Sequence, residues 1–311
     1  MKAIYIEQYG NAEKLTFGDI AKPAINDNQV LIKVKGAGVN PVDWMVREGF
    51  LQQSGEHELP LILGWDAAGE VVECGGSVTN VNLGDNVYVY APISGQGAYA
   101  EYIAVDADLV APAPKTLDMV TAAAVPLAAT TAWQALMEGC KLKAGNRVLI
   151  HNAAGGVGSF AVQIAKAKGA YVIGTASAAK ESYVKGLGVD EFIDYRKQKF
   201  EDIVSDVDAV LAAISGDEVV ERSLNVVRKG GHIISLLDEI EDEVAQRHGV
   251  NFQRWWVMPN AHDLQSISKL IDDGDIKVNI DRVFPLELAD QAHGLSESKR
   301  ARGKIVLEVS Q

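Results

Sequence analysis

The residues Ala153-Ala154-Gly155-Gly156-Val157-Gly158 have the spacing of a turn that binds a pyrophosphate. They follow the apolar run Arg147–Asn152, which predicts a strand, and they open Gly156–Lys168, whose apolar residues recur at helical spacing. In such a turn, glycines let the backbone approach the ligand, and the free N–H groups of the helix bind the anion. We therefore predict a dinucleotide site in which Ala153 replaces the usual first glycine. The predicted cofactor contacts in this turn are Ala154, Gly155, Gly156 and Val157.

The residues after the next predicted strand, Tyr171–Ala176, bear on the choice between NAD and NADP. An NAD enzyme usually carries Asp or Glu at this point, where the carboxylate binds the ribose hydroxyls. Here Ser177 and Lys180 follow the strand, and no carboxylate precedes Glu181. Because a hydroxyl and an ammonium group suit a 2′-phosphate, the pattern favours NADP(H).

The elements around this motif differ between the two parts of the chain. The first third contains short alternating or β-branched runs separated by Gly, Asn, Asp and Pro, which is typical of an antiparallel β-rich unit. These runs are Lys2–Ile6, Val30–Val39, Ala67–Glu73, Asn86–Tyr90 and Tyr99–Val105.

From about Pro112 onward, helices and strands alternate, which predicts right-handed βαβ units and a parallel sheet. The predicted helices are Thr116–Met137, Gly156–Lys168, Ala179–Gly186, Ala261–Asp272 and Leu286–Ser296. The further predicted strands are Phe192–Tyr195, Ala209–Ala213, His232–Leu237, Val278–Phe284 and Lys304–Val309. We predict an α/β protein with a β-rich first third and a following part built on a parallel sheet. The last predicted strand could rejoin the N-terminal β-rich part, which the pattern alone leaves open.

Composition narrows the class of protein. A chain of 311 residues is long enough for two domains, and its net charge of −13 disfavours nucleic-acid binding. Two cysteines, Cys74 and Cys140, cannot form a disulfide framework or a four-cysteine zinc site. The N-terminus lacks the apolar run of a signal peptide, and polar residues interrupt the apolar stretch Val120–Met137. We expect a soluble cytoplasmic protein without a membrane span.

Nearly end to end, the chain resembles a zinc-free quinone oxidoreductase of the medium-chain dehydrogenase/reductase superfamily. Besides the glycine turn, the residues that carry this resemblance are Gly38-Val39-Asn40-Pro41-Val42-Asp43, Gly64-Trp65-Asp66-Ala67-Ala68-Gly69-Glu70-Val71, Gly84-Asp85-Asn86-Val87, Gly97-Ala98-Tyr99-Ala100-Glu101-Tyr102, Thr131-Ala132-Trp133 and Gly303-Lys304-Ile305-Val306. The resemblance implies an α/β protein in which a doubly wound, NADP-binding Rossmann domain of residues 119–259 is inserted into a β-rich, GroES-like catalytic domain of residues 1–118 and 260–311. The active cleft would lie between the two domains.

The resemblance also implies roles for single residues. Asn40 would lie by the nicotinamide, and Thr131 would contact the cofactor. The 2′-phosphate would be surrounded by Ser177, Lys180 and Tyr195. We also assign Leu236, Gly303 and Lys304 to the cofactor site.

The chain departs from the zinc-dependent members of the superfamily. Those members carry Cys at the position of Asn40 and His-Glu at Trp65-Asp66. A catalytic zinc ion needs about three N, S or O ligands, and an indole is not one of them. The six histidines show no metal-binding spacing. We therefore expect no zinc, and without this Lewis acid alcohol oxidation is disfavoured.

The candidate catalytic residue is Asn40, an uncharged donor that could polarise a carbonyl oxygen, although Asn is also a common turn residue. Trp44, Trp65 and Trp255 could line a flat apolar substrate pocket, with core packing as the alternative for each. Relatives carry a tyrosine or a lysine where this chain has Phe50 and Met45. The proton donor therefore stays open, with water as one source.

Our functional hypothesis is reduction of a quinone or an α,β-unsaturated carbonyl by NADPH. An enoyl-thioester reductase is the nearest alternative, and an NADPH-binding sensor or structural protein with little turnover is an alternative of another class. We also expect a homodimer, because an edge strand around Val250–Met258 could pair across a two-fold axis.

Overall fold

The computed structural model describes residues 1–309 and divides the chain into two compact units. The strand-rich unit contains Met1–Thr130, Met258–Asp272 and the residues from Val278 onward. The parallel-sheet unit contains Thr131–Val257 and Asp273–Lys277. The first boundary therefore lies twelve residues after the predicted one. The reason is close packing on a strand of the strand-rich unit, since a Cβ at Gly36 would lie 3.0 Å from the Val120 Cα.

Within the described residues 1–309, the strand-rich unit contains ten strands in two sheets. They are β1 (Lys2–Ile6), β2 (Thr16–Asp19), β3 (Gln29–Val39), β4 (Leu61–Ile62), β5 (Asp66–Cys74), β6 (Asn86–Tyr90), β7 (Tyr102–Asp106), β8 (Ala111–Pro112), β15 (Ile280–Pro285) and β16 (Lys304–Glu308). One sheet has the order β2-β1-β4, and the other has the order β15-β16-β3-β5-β6-β8 with β7 also paired to β3.

The long strand β3 organises the larger sheet. Antiparallel β5 lies along one edge of β3, while β7 and then β16 share its other edge. The predicted return of the last strand to the N-terminal β-rich part is confirmed, because Ile305 pairs with Val39. Residues far apart in sequence consequently meet at the carboxyl end of β3.

The parallel-sheet unit contains six parallel strands in the order β11-β10-β9-β12-β13-β14. They are β9 (Arg147–His151), β10 (Tyr171–Ala176), β11 (Glu191–Asp194), β12 (Val207–Ala212), β13 (Val227–Ser235) and β14 (Asn251–Arg254). The parallel sheet predicted from the alternation of helices and strands is confirmed, and its order is the doubly wound one that the resemblance implied. Its ligand site is expected outside the carboxyl ends of the strands, where the order reverses beside β9.

The helices of the chain are mostly short. They are α1 (Pro41–Arg47), α2 (Met119–Ala122), α3 (Pro126–Gln134), α4 (Gly156–Ala167), α5 (Glu181–Gly186), α6 (Val219–Ser223), α7 (Asp242–His248), α8 (Ala261–Asp272) and α9 (Ala289–Glu297). No helix within residues 1–309 is long and apolar enough to cross a membrane.

The single helix predicted for Thr116–Met137 was wrong. The structure has α2, then α3 from Pro126, then one π-helical turn at Ala135–Gly139. Pro126 has no N–H to donate and its ring blocks the preceding turn, so a new helix begins there. The apolar pattern continues across this break, because the residues on both sides of Pro126, 122–125 and 127–129, are buried.

Candidate functional site

The glycine turn joins β9 to α4 in the parallel-sheet unit. Asn152 has a left-handed backbone with φ of 55°, and the Gly155 N–H donates to its carbonyl at 2.9 Å. The Ser159 N–H donates to the Gly155 carbonyl at 2.9 Å. As at every helix start, the N–H groups of the three residues before Ser159 have no acceptor inside α4. Together with the positive end of the helix dipole, they form a site for an anion.

Two glycines of the turn have no room for a side chain. A Cβ at Gly158 would lie 2.1 Å from the Asn152 carbonyl oxygen, and a Cβ at Gly155 would lie 2.6 Å from the Asn152 Nδ2. The contact at Gly158 is with backbone, so the turn needs glycine there, whereas a side chain at Gly155 would displace the Asn152 side chain.

The carboxyl ends of β10 and β11 lie beside the turn. Ser177 follows β10 and is half-buried, as is Lys180 in the next turn, whereas Tyr195 follows β11 and is exposed. The Asp194 carboxylate at this edge accepts the N–H groups of Ala178 and Arg196, both at 3.2 Å. Asp194 is therefore engaged with backbone donors.

The two remaining predicted cofactor contacts of this unit are Leu236, which follows a strand, and Thr131, which lies within a helix. Leu236 comes directly after β13, is half-buried and donates its N–H to the Ala212 carbonyl at 3.1 Å. Thr131 lies inside α3 and is buried. The carboxyl ends of β12 and β13 thus carry Leu236 on the same edge as the glycine turn.

A buried histidine at the end of β9 links this strand to its neighbours by hydrogen bonds. His151 ends β9, and its Nδ1 and Nε2 lie 3.2 Å from the Thr175 and Ser223 hydroxyls. The Ser223 hydroxyl donates to Val219, so it accepts from His151 Nε2, and Nδ1 accepts from Thr175. Burial lowers the pKa of His151 to about 3, so the ring is neutral.

In the strand-rich unit, three polar side chains meet at the carboxyl end of β3. Asn40 follows β3, Asp66 begins β5, and Lys304 begins β16. Because β5 and β16 run antiparallel to β3 on its two edges, their first residues lie beside the last residues of β3. We call Asn40, Asp66 and Lys304, with Asp43 and Tyr99, the buried polar cluster.

Hydrogen bonds join every member of the buried polar cluster. Asn40 Nδ2 donates to Asp66 Oδ2 at 2.9 Å, and Lys304 Nζ donates to Asn40 Oδ1. Lys304 Nζ also donates to the Val39 carbonyl at 3.1 Å and lies 3.7 Å from Asp66 Oδ2. Both ends of the Asn40 carboxamide therefore contact a charged group.

The second carboxyl group of the cluster lies in α1. Asp43 Oδ2 accepts the Asn40 backbone N–H at 2.8 Å and the Tyr99 hydroxyl at 2.7 Å. Burial raises the pKa of Asp43 to about 7 and the pKa of Asp66 to about 6, and it lowers the pKa of Lys304. The Tyr99 pKa is raised well above its usual value, so the phenol stays a donor.

The predicted tryptophan contacts have different environments. Trp65 is fully buried, donates its indole N–H to the Gly95 carbonyl at 3.0 Å and lies parallel to the His57 ring, so it packs in the core. Trp44 in α1 and Trp255 after β14 are half-buried, and among the described residues neither indole N–H has a hydrogen-bond partner. Such donors could bind a ligand.

Two cofactor predictions fall in the strand-rich unit. Gly303 is buried with φ of 78°, which favours glycine in the turn before β16. Lys304 is only 3% exposed, and its ammonium group is held within the buried polar cluster. Sequence reasoning assigned no role to Asp43, Asp66 or Tyr99. The available signal was the spacing of three between Asn40 and Asp43, which is typical of a helix start.

Two protein-family models match the chain, and together they cover residues of both units. The alcohol dehydrogenase GroES-like domain matches residues 26–115, and a family model described as zinc-binding dehydrogenase matches residues 187–307. The NADPH-dependent alkenal/one oxidoreductase of Arabidopsis thaliana chloroplasts is 35% identical over 318 residues, which span 99% of this chain and 79% of that protein.

Solved structures show the same architecture. The quinone oxidoreductase from Coxiella burnetii is 36% identical, with a TM-score of 0.93 over 100% of this chain and 99% of that one. Escherichia coli quinone oxidoreductase complexed with NADPH is 27% identical, with a TM-score of 0.89 over 99% and 100%. The chain belongs to the quinone oxidoreductase-like family of the medium-chain dehydrogenase/reductase superfamily.

Proposed function

We propose that this protein is an NADPH-dependent reductase of quinones or α,β-unsaturated carbonyls. The observation that carries the proposal is the edge of the parallel sheet. There, backbone N–H groups at the start of α4 lie beside a strand end with Ser177 and Lys180, while Asp194 is engaged with the backbone. The names of the relatives, an NADPH-dependent alkenal/one oxidoreductase and quinone oxidoreductases, support the same reaction class.

The bound NADPH would supply the hydride that reduces the substrate. The N–H groups at the start of α4 hold the pyrophosphate, with Ala154, Gly155, Gly156 and Val157 forming the turn around it. Ser177, Lys180 and Tyr195 bind the 2′-phosphate by hydrogen bonds and charge. Thr131 and Leu236 stay predicted cofactor contacts.

Asn40 is the proposed catalytic residue. When hydride adds to a quinone or an enone, negative charge develops on the carbonyl oxygen, and a fixed N–H donor stabilises that charge. Asn40 Nδ2 carries two hydrogens, of which one goes to Asp66. The other is the donor that this role needs. Trp44 and Trp255 stay predicted substrate contacts.

We further propose that the reaction uses no zinc. A catalytic zinc ion needs about three N, S or O ligands. Asn40 Oδ1 already accepts from the Lys304 ammonium, and Trp65 is a core residue whose N–H donates to Gly95. A buried ammonium group opposes a divalent cation at the same place. The donor set therefore does not fit zinc, although one matching family model is described as zinc-binding.

Steady-state assays test the proposal directly. NADPH oxidation is followed at its absorbance band with a panel of quinones and enones, with NADH as the matched cofactor and enoyl thioesters as the competing substrate class. We expect turnover with a quinone or an enone and preference for NADPH. If NADPH binds but none of these acceptors oxidises it, the protein is a binding protein and the proposal is wrong.

Assembly and partners are also proposed. In the sheet order, β14 forms an edge of the parallel sheet, paired with β13, and Trp256 and Met258 just after it are exposed. We propose a homodimer through this edge, to be tested by light scattering. The net charge of −13 supports a protein that does not bind nucleic acid. The cytoplasmic location stays a prediction.

A further inference from the structure

The side chain of Asn40 has two ends of similar shape, one oxygen and one NH2 group. When neutral groups surround such a carboxamide, a half turn exchanges the two ends at small cost. In the buried polar cluster, the two charged neighbours of Asn40 permit only one orientation of its carboxamide. The Lys304 ammonium can only donate and the Asp66 carboxylate can only accept, so Oδ1 faces Lys304 and Nδ2 faces Asp66.

The two neighbours are themselves held in place. The Asp66 carboxylate uses its other oxygen to accept the Leu127 N–H at the start of α3, at 2.7 Å. A Cβ at Gly38 would lie 2.8 Å from Asp66 Oδ2, so glycine there leaves the room that this carboxylate occupies. Lys304 has its second acceptor in the Val39 carbonyl. Asn40, Asp66 and Lys304 are at most 3% exposed, so water does not compete for these bonds.

We infer that Lys304 and Asp66 are positioning residues, which orient and polarise the Asn40 carboxamide so that it meets a substrate oxygen only as an N–H donor. The cation at Oδ1 draws electrons from nitrogen toward oxygen, whereas the anion at Nδ2 fixes which end of the carboxamide carries the donors. The remaining N–H becomes a stronger donor, as in other hydrogen-bond chains. The inference rests on the proposed function, in which Asn40 contacts the substrate.

This role differs from the predicted role of Lys304 as a cofactor contact. A lysine that binds a phosphate of NADPH contributes to cofactor affinity. A lysine that orients Asn40 contributes to the chemical step and leaves cofactor affinity unchanged. The two assignments therefore give opposite kinetic results for the same substitution.

The kinetic experiment uses the full chain with Asp66→Asn and Lys304→Met. In Asp66→Asn the oxygen stays on the Leu127 N–H, so the new NH2 group faces Asn40 Nδ2 and the bond that holds Nδ2 is lost. We expect kcat to fall at least about 10-fold in both variants, because an Asn40 carboxamide that is poorly oriented slows the chemical step. The NADPH Kd, from fluorescence quenching, should change less than about twofold.

Lys2→Met is the matched control, because Lys2 also pairs with an aspartate, Asp19 at 2.8 Å, but on the surface of the same unit. It should leave kcat and Kd unchanged. A raised NADPH Kd with an unchanged kcat in Lys304→Met would make Lys304 a cofactor contact and overturn the inference. An unchanged kcat in Asp66→Asn would also overturn it.

A second measurement does not depend on turnover or on Lys304→Met folding. The side-chain amide of Asn40 gives a pair of ¹⁵N–¹H NMR signals, assigned by their loss in Asn40→Asp. We expect one proton far downfield in the native protein because of its bond to a carboxylate, and an upfield shift in Asp66→Asn but not in Lys2→Met. If the native pair lies at free-amide positions, the inference is wrong. If the shift occurs in a protein without reductase activity, the orientation stands and the proposed function fails.

Discussion

The proposed nucleotide site of the parallel-sheet unit presents backbone N–H groups at the glycine turn, whereas the buried polar cluster of the strand-rich unit is built from polar and charged side chains. The turn comes from one continuous segment, and what it requires is the absence of side chains at Gly155 and Gly158. The cluster comes from three strands, and what it requires is the chemical identity of Asn40, Asp66 and Lys304. From this difference we expect the glycine turn to lose its function when an atom is added. The buried polar cluster should lose its function when a functional group is removed.

The largest effect is expected from adding one carbon to the turn. Gly158→Ala places a Cβ where the Asn152 carbonyl oxygen lies, at 2.1 Å, so the start of α4 must move. We expect NADPH affinity to fall by about 100-fold or more, because the N–H groups no longer converge on the pyrophosphate. Titration of NADPH fluorescence measures this change.

Gly186→Ala is the matched control for that substitution. Gly186 ends α5, and an added Cβ there meets nothing within 4 Å. It should bind NADPH as the native protein does. Equal affinity in Gly158→Ala and Gly186→Ala would contradict the assignment of the turn as the nucleotide site.

Removing a functional group from the buried polar cluster should lower kcat and leave the affinity for NADPH unchanged. Asn40→Ala deletes the proposed donor to the substrate oxygen, and we expect kcat to fall about 100-fold, as for other single donors of this type. The NADPH Kd should stay within about twofold. A loss of NADPH affinity with kcat preserved would place Asn40 among the cofactor contacts instead.

Acidification should change the free energy of unfolding differently in the two units. The pKa of His151 is lowered to about 3 in the folded protein, so its contribution is complete above its unfolded pKa of about 6.5 and is lost as pH falls toward 3. Between pH 6.5 and about pH 5 the parallel-sheet unit should lose roughly 2 kcal/mol. His293 in the strand-rich unit, with a pKa of about 3, acts in the same direction.

The strand-rich unit has an opposing contribution. The folded pKa values of Asp43 and Asp66, about 7 and about 6, lie above those of an unfolded chain, so protonation on acidification stabilises this unit. Hydrogen exchange of β9–β13 and of β3–β5 at about pH 7.5 and about pH 5 measures the difference. His151→Gln should reduce the acid loss in the first set. Equal acid loss in both sets of strands would contradict the expected difference.

The smallest effect is expected at the 2′-phosphate. Lys180→Ala should reduce the preference for NADPH over NADH by about 10-fold, since it removes one charge-assisted hydrogen bond. Lys185→Ala is the control, because Lys185 lies on the next helix and pairs with Glu181 on the surface. The ratio of kcat/KM for the two cofactors measures the preference. An unchanged ratio in Lys180→Ala would mean that Ser177 and Tyr195 recognise the phosphate without it.

Most strands were predictable because their signals are local. The run Tyr171–Ala176 and the helix Ala261–Asp272 have the predicted bounds, since apolar spacing and flanking turn residues lie within one short segment. The helix over Thr116–Met137 was missed in detail because burial keeps both sides of Pro126 apolar. Hydropathy alone does not distinguish one buried helix from two.

For the site residues too, local sequence features were predictable and tertiary contacts were not. Sequence reasoning reached Asn40 but could not see that its carboxamide lies between a cation and an anion. Trp65 matched the pattern of a pocket residue, and its packing beside His57 depends on a chain segment that precedes β4. Exposure is a property of the packed protein, so residue type does not report it.

The sequence by itself determined the framework of the proposed dinucleotide site, because its strand, glycine turn and helix follow one another in one segment and need only local sterics to form. Only the tertiary structure decided the partner of Asn40. Lys304 lies 264 residues away in the chain and reaches Asn40 because β16 pairs antiparallel with β3. A contact of that separation is set by sheet register and burial, and neither can be read from the residues around Asn40.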